Sequence, residues 1–600
     1  MRLARRPLPA LAKAAPLPAT ALLALVLPAC ASQSPYAENP PVDNLVSDWR
    51  DEVIYQALTD RFANGDLNTD INVTKDTSNL ARYQGGDFQG IIDHVDYLDA
   101  LGITTLWISP VVVNVEEDAG SASYHGYWTQ DFENVSPHWG DLAKLRELSD
   151  VLHQHNIKLV QDIVVNHIGQ LFYYDINRNG EPDITTYYAT DGSNTVNIVS
   201  EWDPAYDARG IQGYTSLGES GLAPLGWVNM PEINRVPPNP PEFQNDTWYH
   251  RRGRVTDWSD FDQVVNGDFP GGLKDLDTLN PDVQTALIAV YEDWIDKAGL
   301  DGFRIDTLKH VEHSFWQRFC TEIRDHEALA GKDKFLMFGE SFDGDDQLIG
   351  SYTAPNEVDS VVYFSEKFQV FDDVFKNNAA TTAVQALFDA RDTNYNTVPQ
   401  DLGAGQAPRD ILVNFMDNHD IPRFLYDKPS IPALRSALVF LMTEDGIPCL
   451  YYGTEQGFSG GNDPANREPL WTSNYDTSGE IFQHIAALTQ LRRDYEPLRR
   501  GDFEFRWTTD RVNGEEDANI LAYERVEQET GESVLVVINT SDSNTSHTAY
   551  NGAGMPVSFA PGTVLTEVFP PGSTNTWTVQ PDGTVTIEVA PRDGVVLVPR

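Results

Sequence analysis

Three carboxylates each close a short apolar run and follow one another in a set order: Asp306 in "GFRIDTLKH", Glu340 in "FLMFGESF" and Asp420 in "NFMDNHD". Breaking a glycosidic bond with retention takes one ionised, nucleophilic carboxylate and a second carboxyl that delivers a proton to the leaving oxygen. Asp306 suits the first role, because Arg304 lies two residues away and an adjacent guanidinium favours the charged carboxylate. Glu340 follows "FLMF" with no basic neighbour in sequence, a setting that favours the protonated acid. Asp420, beside His419, is left to bind sugar hydroxyls and the strained, oxocarbenium-like ring.

The runs that must position these groups are "KLVQDIVV" before Asn166 and His167, "GFRI" before Asp306, "KFLMF" before Glu340 and "ILVNF" before His419 and Asp420. Strands covered on both faces read as nearly continuous apolar runs, and in a (β/α)8 barrel the polar residues at their C-terminal ends line the active site. Residues two apart on a strand share a face, so Arg304 is expected beside Asp306, and Asp162, Val164 and Asn166 are expected to point one way.

These segments together resemble the α-amylase family, glycoside hydrolase family 13. The resemblance runs from about Val53 to the C-terminus and rests on four motifs in order: "DIVVNH", "GFRIDTLKH", "FGES" and "FMDNHD". It implies Asp306 as nucleophile, Glu340 as acid/base and Asp420 as transition-state stabiliser, with Arg304, His167 and His419 as hydrogen-bonding supports. It also implies sugar contacts from Tyr127 in "YHGYW", from Asp463 and Arg467 in "NDPANRE" toward the non-reducing end, and from Lys309 and His310 on the leaving-group side.

Calcium is the implied cofactor, since hard cations take carboxylate, amide and carbonyl oxygens. One set is Asn166, Asp275 and the carbonyl of His310. A second resembles a site of cyclodextrin glucanotransferases and comprises Asn64, Asp66, Asp70, Gly85 and Asp87, with Thr69 where those enzymes use Asn. A third, "DINRNGEPD", spaces Asp175, Asn177, Asn179 and Asp183 around Gly180 like a calcium loop but lacks the distal Glu, so a polar turn accounts for it equally well.

The fold class expected is α/β: a (β/α)8 TIM barrel over residues 48–167 and 273–497, with an inserted domain B at 168–272 and a C-terminal antiparallel β-sandwich at 498–600. The alternating segments "NILAYERV", "SVLVVINT", "TVTIEVA" and "GVVLVPR" carry the last assignment. Residues 1–29 hold four basic and no acidic residues and the run "ALLALVLPA", which reads as a signal peptide. "LPAC" resembles a lipoprotein cleavage box that would leave Cys30 lipidated as a membrane tether; a plain signal peptide cut further on is the alternative. Residues 30–47, rich in Pro, Ser and Asn, read as a flexible linker.

The net charge of −48 argues against nucleic acid and anionic membrane surfaces as partners. Cys320 and Cys449 lie in apolar contexts and are expected as buried free thiols. The protein is expected to be an exported monomer acting on α-glucan. Four activities compete: an endo-acting α-amylase, a cyclodextrin-forming or other transglycosylase, a debranching or exo-acting α-glucosidase, and a glucan-binding lipoprotein without catalysis. Retention of all three carboxylates opposes the last. Gly271, where cyclising enzymes carry an aromatic, and the lack of extra C-terminal domains favour hydrolysis; Phe342, which matches an aromatic of the transferases, favours transfer.

Overall fold

The computed structural model describes residues 46–600 except 75, 119, 176–179, 181–186, 191–195, 200–223 and 270. Cys30, and Asn177, Asn179 and Asp183 of the third cation set, therefore lie outside the described residues.

Eight parallel strands form one sheet: β1 (Ile54–Ala57), β2 (Thr105–Ile108), β3 (Lys158–Ile163), β4 (Gly302–Ile305), β5 (Leu336–Gly339), β6 (Ser360–Val361), β7 (Val413–Phe415) and β8 (Ile447–Tyr451). They pair in the order β6-β5-β4-β3-β2-β1-β8-β7, and a parallel bridge between Val362 and Val413 closes the ring. Every residue of β1, β2, β4 and β5 is buried, which is why these strands read as apolar runs instead of alternating ones.

The helices between strands bury one stripe against this ring. In helix Leu142–Gln154 that stripe is Leu145, Leu148 and Leu152, and the Asp141 side chain accepts from the Lys144 N–H to cap the first turn. Helix Pro281–Ala298 starts behind an Asn280 cap with Pro281 in its first turn and stops at Gly299, whose φ of 67° an ordinary residue would resist.

Between β3 and β4 the chain leaves the barrel. The excursion contains strands Phe172–Tyr174 and Leu225–Trp227, paired antiparallel, helix Phe261–Asn266, and Lys274–Asp275 paired back against His167–Ile168. One expectation needs correcting here. β3 stops at Ile163, so Asn166 does not share a strand face with Asp162 and turns instead toward Asp275.

The C-terminal part is a six-stranded antiparallel sheet of β9 (Asp502–Trp507), β10 (Ile520–Val526), β11 (Ser533–Asn539), β12 (Val564–Phe569), β13 (Thr576–Thr578) and β14 (Asp593–Pro599), ordered β9-β10-β11-β14-β12-β13. Alternation along β10 and β11 splits their residues between two cores. Ile520, Ala522, Leu535 and Val537 meet Met555, Val585, Ile587 and Val589 from smaller strands and the link between two of them, while Leu521, Tyr523, Val534 and Val536 join the barrel core. The Tyr523 hydroxyl lies 2.6 Å from Thr443 Oγ1, and Arg525 donates to the carbonyls of Thr443, Leu498 and Gly501, tying the sheet to the barrel.

Cys320 and Cys449 are buried free thiols, as expected. No helix among the described residues is long and apolar enough to cross a membrane.

Candidate active site

Arg304 is the hub of the cleft. Its place on β4, between β3 and β5, lets one fully buried guanidinium reach three carboxyl groups. Nη1 donates to Asp306 Oδ1 at 2.9 Å and to both oxygens of Asp162 at 3.0 Å; Nη2 lies 2.9 Å from Glu340 Oε2. The expectation that Glu340 has no cationic neighbour is thus corrected: Arg304 is far from it in sequence but joins it across the β4–β5 register. Burial still dominates and pushes the Glu340 carboxyl up to about 8, with Arg304 opposing and Asp420 and Asp306 reinforcing. Its Oε1 is buried without a hydrogen-bond partner among the described residues.

A cavity of about 630 Å³ opens over this group, lined among others by Asp306, Glu340, Asp420, Tyr127, His167, Lys309, His310, His419, Asp463 and Arg467. All three carboxylates of the predicted trio and every predicted sugar contact except the buried Arg304 hub therefore line one space. Thr307, a β-branched residue at φ 50°, turns the chain directly after Asp306 into the short 308–310 helix. Such a conformation is strained for this residue type, and here it aims Asp306 and His310 into the same cavity.

The supports have assigned partners. Asp420 accepts from Arg467 Nη2 at 3.4 Å and lies 3.2 Å from His419 Nε2; Arg467 also pairs with Asp463 at 2.9 Å. Tyr127 donates its hydroxyl to Asp162 Oδ2 at 2.8 Å and stacks parallel to the His419 ring. His167 Nε2 sits 3.1 Å from the Tyr127 carbonyl. Burial lowers the pKa of both His167 and His419, favouring neutral rings in the cleft. Lys309 spans from the Phe342 carbonyl, at 2.5 Å, to Asp343 Oδ2, at 3.0 Å. His310 is held through Nδ1 by the Val264 carbonyl at 3.0 Å, and burial lowers its pKa to about 4.

The first predicted cation set is brought together. Asn166 Oδ1 faces Asp275 Oδ1 at 3.3 Å and the His310 carbonyl at 3.0 Å, three oxygens with no proton donor between them. That donor chemistry fits a hard cation; an Asn166 amide turned by 180° would instead donate to both neighbours. His250, 2.5 Å from the other oxygen of Asp275, braces the set; burial opposes its charge, but Asp275 and Asp277 outweigh it and push the imidazole up to about 10. The second set also gathers, and each of its three carboxylates already accepts a hydrogen bond. Asp87 accepts from the N–H groups of Gly65, Asp66 and Gly90 and from the Thr69 hydroxyl, capping helix 88–93, and Asn64 Nδ2 donates to Asp70 Oδ1 at 2.6 Å. Of the third set, Asp175 accepts from the Gly180 N–H.

Sequence reasoning passed over several residues of this site. Gln56 at the end of β1 reaches His419 Nδ1 at 2.7 Å, and Trp107 on β2 donates to Asp162 at 3.0 Å. Both belong to strands that carry no acidic motif, so nothing marked them. Trp258 and Phe269 of the inserted segment line the cavity, and Phe269 stacks on His167. An aromatic cluster in an irregular stretch was their one signal.

The family model described as the alpha amylase catalytic domain matches residues 56–479. Among curated relatives, a Paenibacillus polymyxa β/α-amylase is 30% identical over 92% of this chain and 38% of its own length. A Streptomyces lividans α-amylase is 30% identical over 80% of this chain and 53% of its own. A Klebsiella oxytoca cyclomaltodextrin glucanotransferase is 30% identical over 83% and 72%. The chain thus spans about a third to a half of the first two relatives. Among solved structures, an Anoxybacillus α-amylase superposes with a TM-score of 0.69 at 25% identity, covering 92% of this chain and 99% of that one. A three-domain cyclomaltodextrin glucanotransferase, CldA, gives 0.68 at 25% identity with the same coverage.

Proposed function

The chain belongs to the α-amylase family of glycoside hydrolases, and from that premise we propose that it hydrolyses α-1,4-glucosidic bonds within glucan chains with retention of configuration. The observation that carries this reading is Arg304 holding two carboxyl groups in different roles. Asp306, paired to Nη1, attacks the anomeric carbon. Glu340, kept protonated by burial at neutral pH, donates to the leaving oxygen from its unpartnered Oε1 and then takes a proton from the incoming water. Asp420, steadied by His419 and Arg467, binds the sugar hydroxyls as the ring flattens.

Asn166, Asp275 and the His310 carbonyl would hold a calcium ion, which supplies a fixed positive charge joining the inserted segment to the barrel. Through the His310 backbone it would also brace the turn that carries Asp306. Export, with a lipid on Cys30, and a monomeric state are further parts of the reading; the leader composition supports the first.

Transfer to a sugar acceptor is the second reading. Phe342, 43% exposed on the cavity wall, favours it, and the likeness to a three-domain glucanotransferase removes domain number as an argument against it. Against it, Gly271 stands in left-handed backbone with open space around its α-carbon and offers no ring for a glucan to wrap. Incubation with amylose and maltoheptaose, with products resolved by size and anomer, tests the choice: linear α-maltooligosaccharides of mixed length support hydrolysis, and cyclic products or glucose alone overturn it.

A further inference from the structure

A second cavity, of about 470 Å³, lies between the loop after β1 and the loop after β8. The aromatic side chains of Trp471, Tyr475 and His94 line it together with the polar Asn64, Thr74, Thr77 and Gln84. Three observations mark it as built for a ligand. The Trp471 ring is half-buried, stacks on no other aromatic and has no hydrogen-bond partner for its indole N–H among the described residues, although Leu470 beside it is fully buried and anchors the turn. Tyr475 is fixed in left-handed backbone at φ 49°, with its hydroxyl donated to the Phe62 carbonyl at 2.9 Å and His94 against its ring at 3.9 Å. Gln84 is only 4% exposed; its amide nitrogen donates to the Asn79 carbonyl at 3.2 Å, and its amide oxygen has no donor among the described residues.

The chemistry of the walls selects the ligand class. The chain carries 90 acidic residues, yet no carboxylate, lysine or arginine lines this cavity. Aromatic faces together with amide and hydroxyl groups suit a neutral molecule with apolar faces and a rim of hydroxyls, which is a sugar ring. Trp471 lies four residues beyond Arg467, on the same loop that carries Asp463 and Arg467 into the catalytic cleft. β1, which leads into the loop carrying Asn64, ends at Gln56 and Ala57, and Gln56 contacts His419 in that cleft. Both cavities therefore open from the C-terminal ends of the strands.

We propose that this cavity is a second, non-catalytic binding site for α-glucan, which holds a polymer on the enzyme while another stretch of it is cut. The choice of α-glucan rests on the activity proposed above. The site itself rests on the cavity.

Affinity electrophoresis of the full chain in gels containing amylopectin tests it, alongside hydrolysis of a short chromogenic maltooligosaccharide. Trp471→Ala should weaken retardation about threefold to tenfold, the size of one lost aromatic contact, and leave short-substrate kcat/KM unchanged. Trp471→Tyr should restore most of the retardation, separating ring contact from a folding defect. Unchanged retardation in Trp471→Ala, or equal retardation of the wild type by hydroxyethylcellulose, overturns the inference. A wild type that cleaves amylose while Trp471→Ala migrates normally sinks this site alone; Trp471-dependent retardation without any cleavage sinks the proposed reaction and leaves the site standing.

Discussion

Gln56 Nε2 donates to His419 Nδ1 at 2.7 Å, which leaves the proton of the neutral imidazole on Nε2, 3.2 Å from Asp420 Oδ2. An amide two strands away around the barrel thus sets which nitrogen of His419 carries the proton beside Asp420. Gln56→Glu would place an acceptor at Nδ1 and draw a second proton onto the ring. The expected result is a fall in kcat/KM of about tenfold, the lower end for such an outer partner. Gln56→Glu should also acquire a pH dependence that Gln56→Ala lacks; matching pH profiles for the two would count against this assignment.

Glu340→Gln should lower kcat by about 10²–10⁴, the usual weight of general acid–base catalysis, and still bind maltoheptaose. The wild-type profile carries the complementary sign. The acid must be protonated, so kcat/KM should fall as pH rises through about 8, the value to which burial lifts Glu340. An alkaline limb near pH 5 would contradict the burial argument.

Removal of calcium should lower the melting temperature. An ion present at about 100 times its Kd adds about 2.7 kcal/mol to the folded state, so excess chelator should cost several degrees. Asp275→Asn should melt lower in calcium and respond less to the chelator. A wild type whose melting is indifferent to chelator would show that Asn166 donates two hydrogen bonds and binds no ion.

Away from the cleft, Glu366 and Glu444 gather around Arg391 at the seam between barrel and C-terminal sheet, its Nη2 lying 3.3 Å from Glu366 and 3.9 Å from Glu444. Burial lifts Glu366 to about 7 and raises Glu444 as well. Groups raised in the folded state stabilise it fully below their unfolded pKa and lose that contribution as pH climbs through the folded one. Stability from this pair should therefore decline between about pH 4.5 and pH 7. Glu444→Gln should flatten that decline and leave the protein more stable than the wild type at pH 8. Denaturant titration at pH 5 and pH 8 reads it directly, and an undiminished slope in the variant would refute it.

The barrel strands and the trio were legible in the sequence because each is local: an apolar run of strand length followed by an acid. The partners of those acids were not. Arg304 beside Glu340, Gln56 beside His419 and Trp107 beside Asp162 are joined by strand register, and register is invisible to a reading that moves along the chain. The same holds for the second cation set, where the N–H groups that bond Asp87 come from the loop after β1 and from a helix start, which spacing along the chain does not show. Irregular segments hid the most, since Trp258 and Phe269 follow no period.

The C-terminal sheet gives one face to its own small core and the other to the barrel. A tail grafted in that way is part of the catalytic body's scaffolding and no detachable accessory. Shortened forms ending near residue 500 would bare a wall of Leu, Val and Phe side chains on the barrel flank, so proteolysis or premature termination there should yield sticky, insoluble fragments instead of a smaller working enzyme.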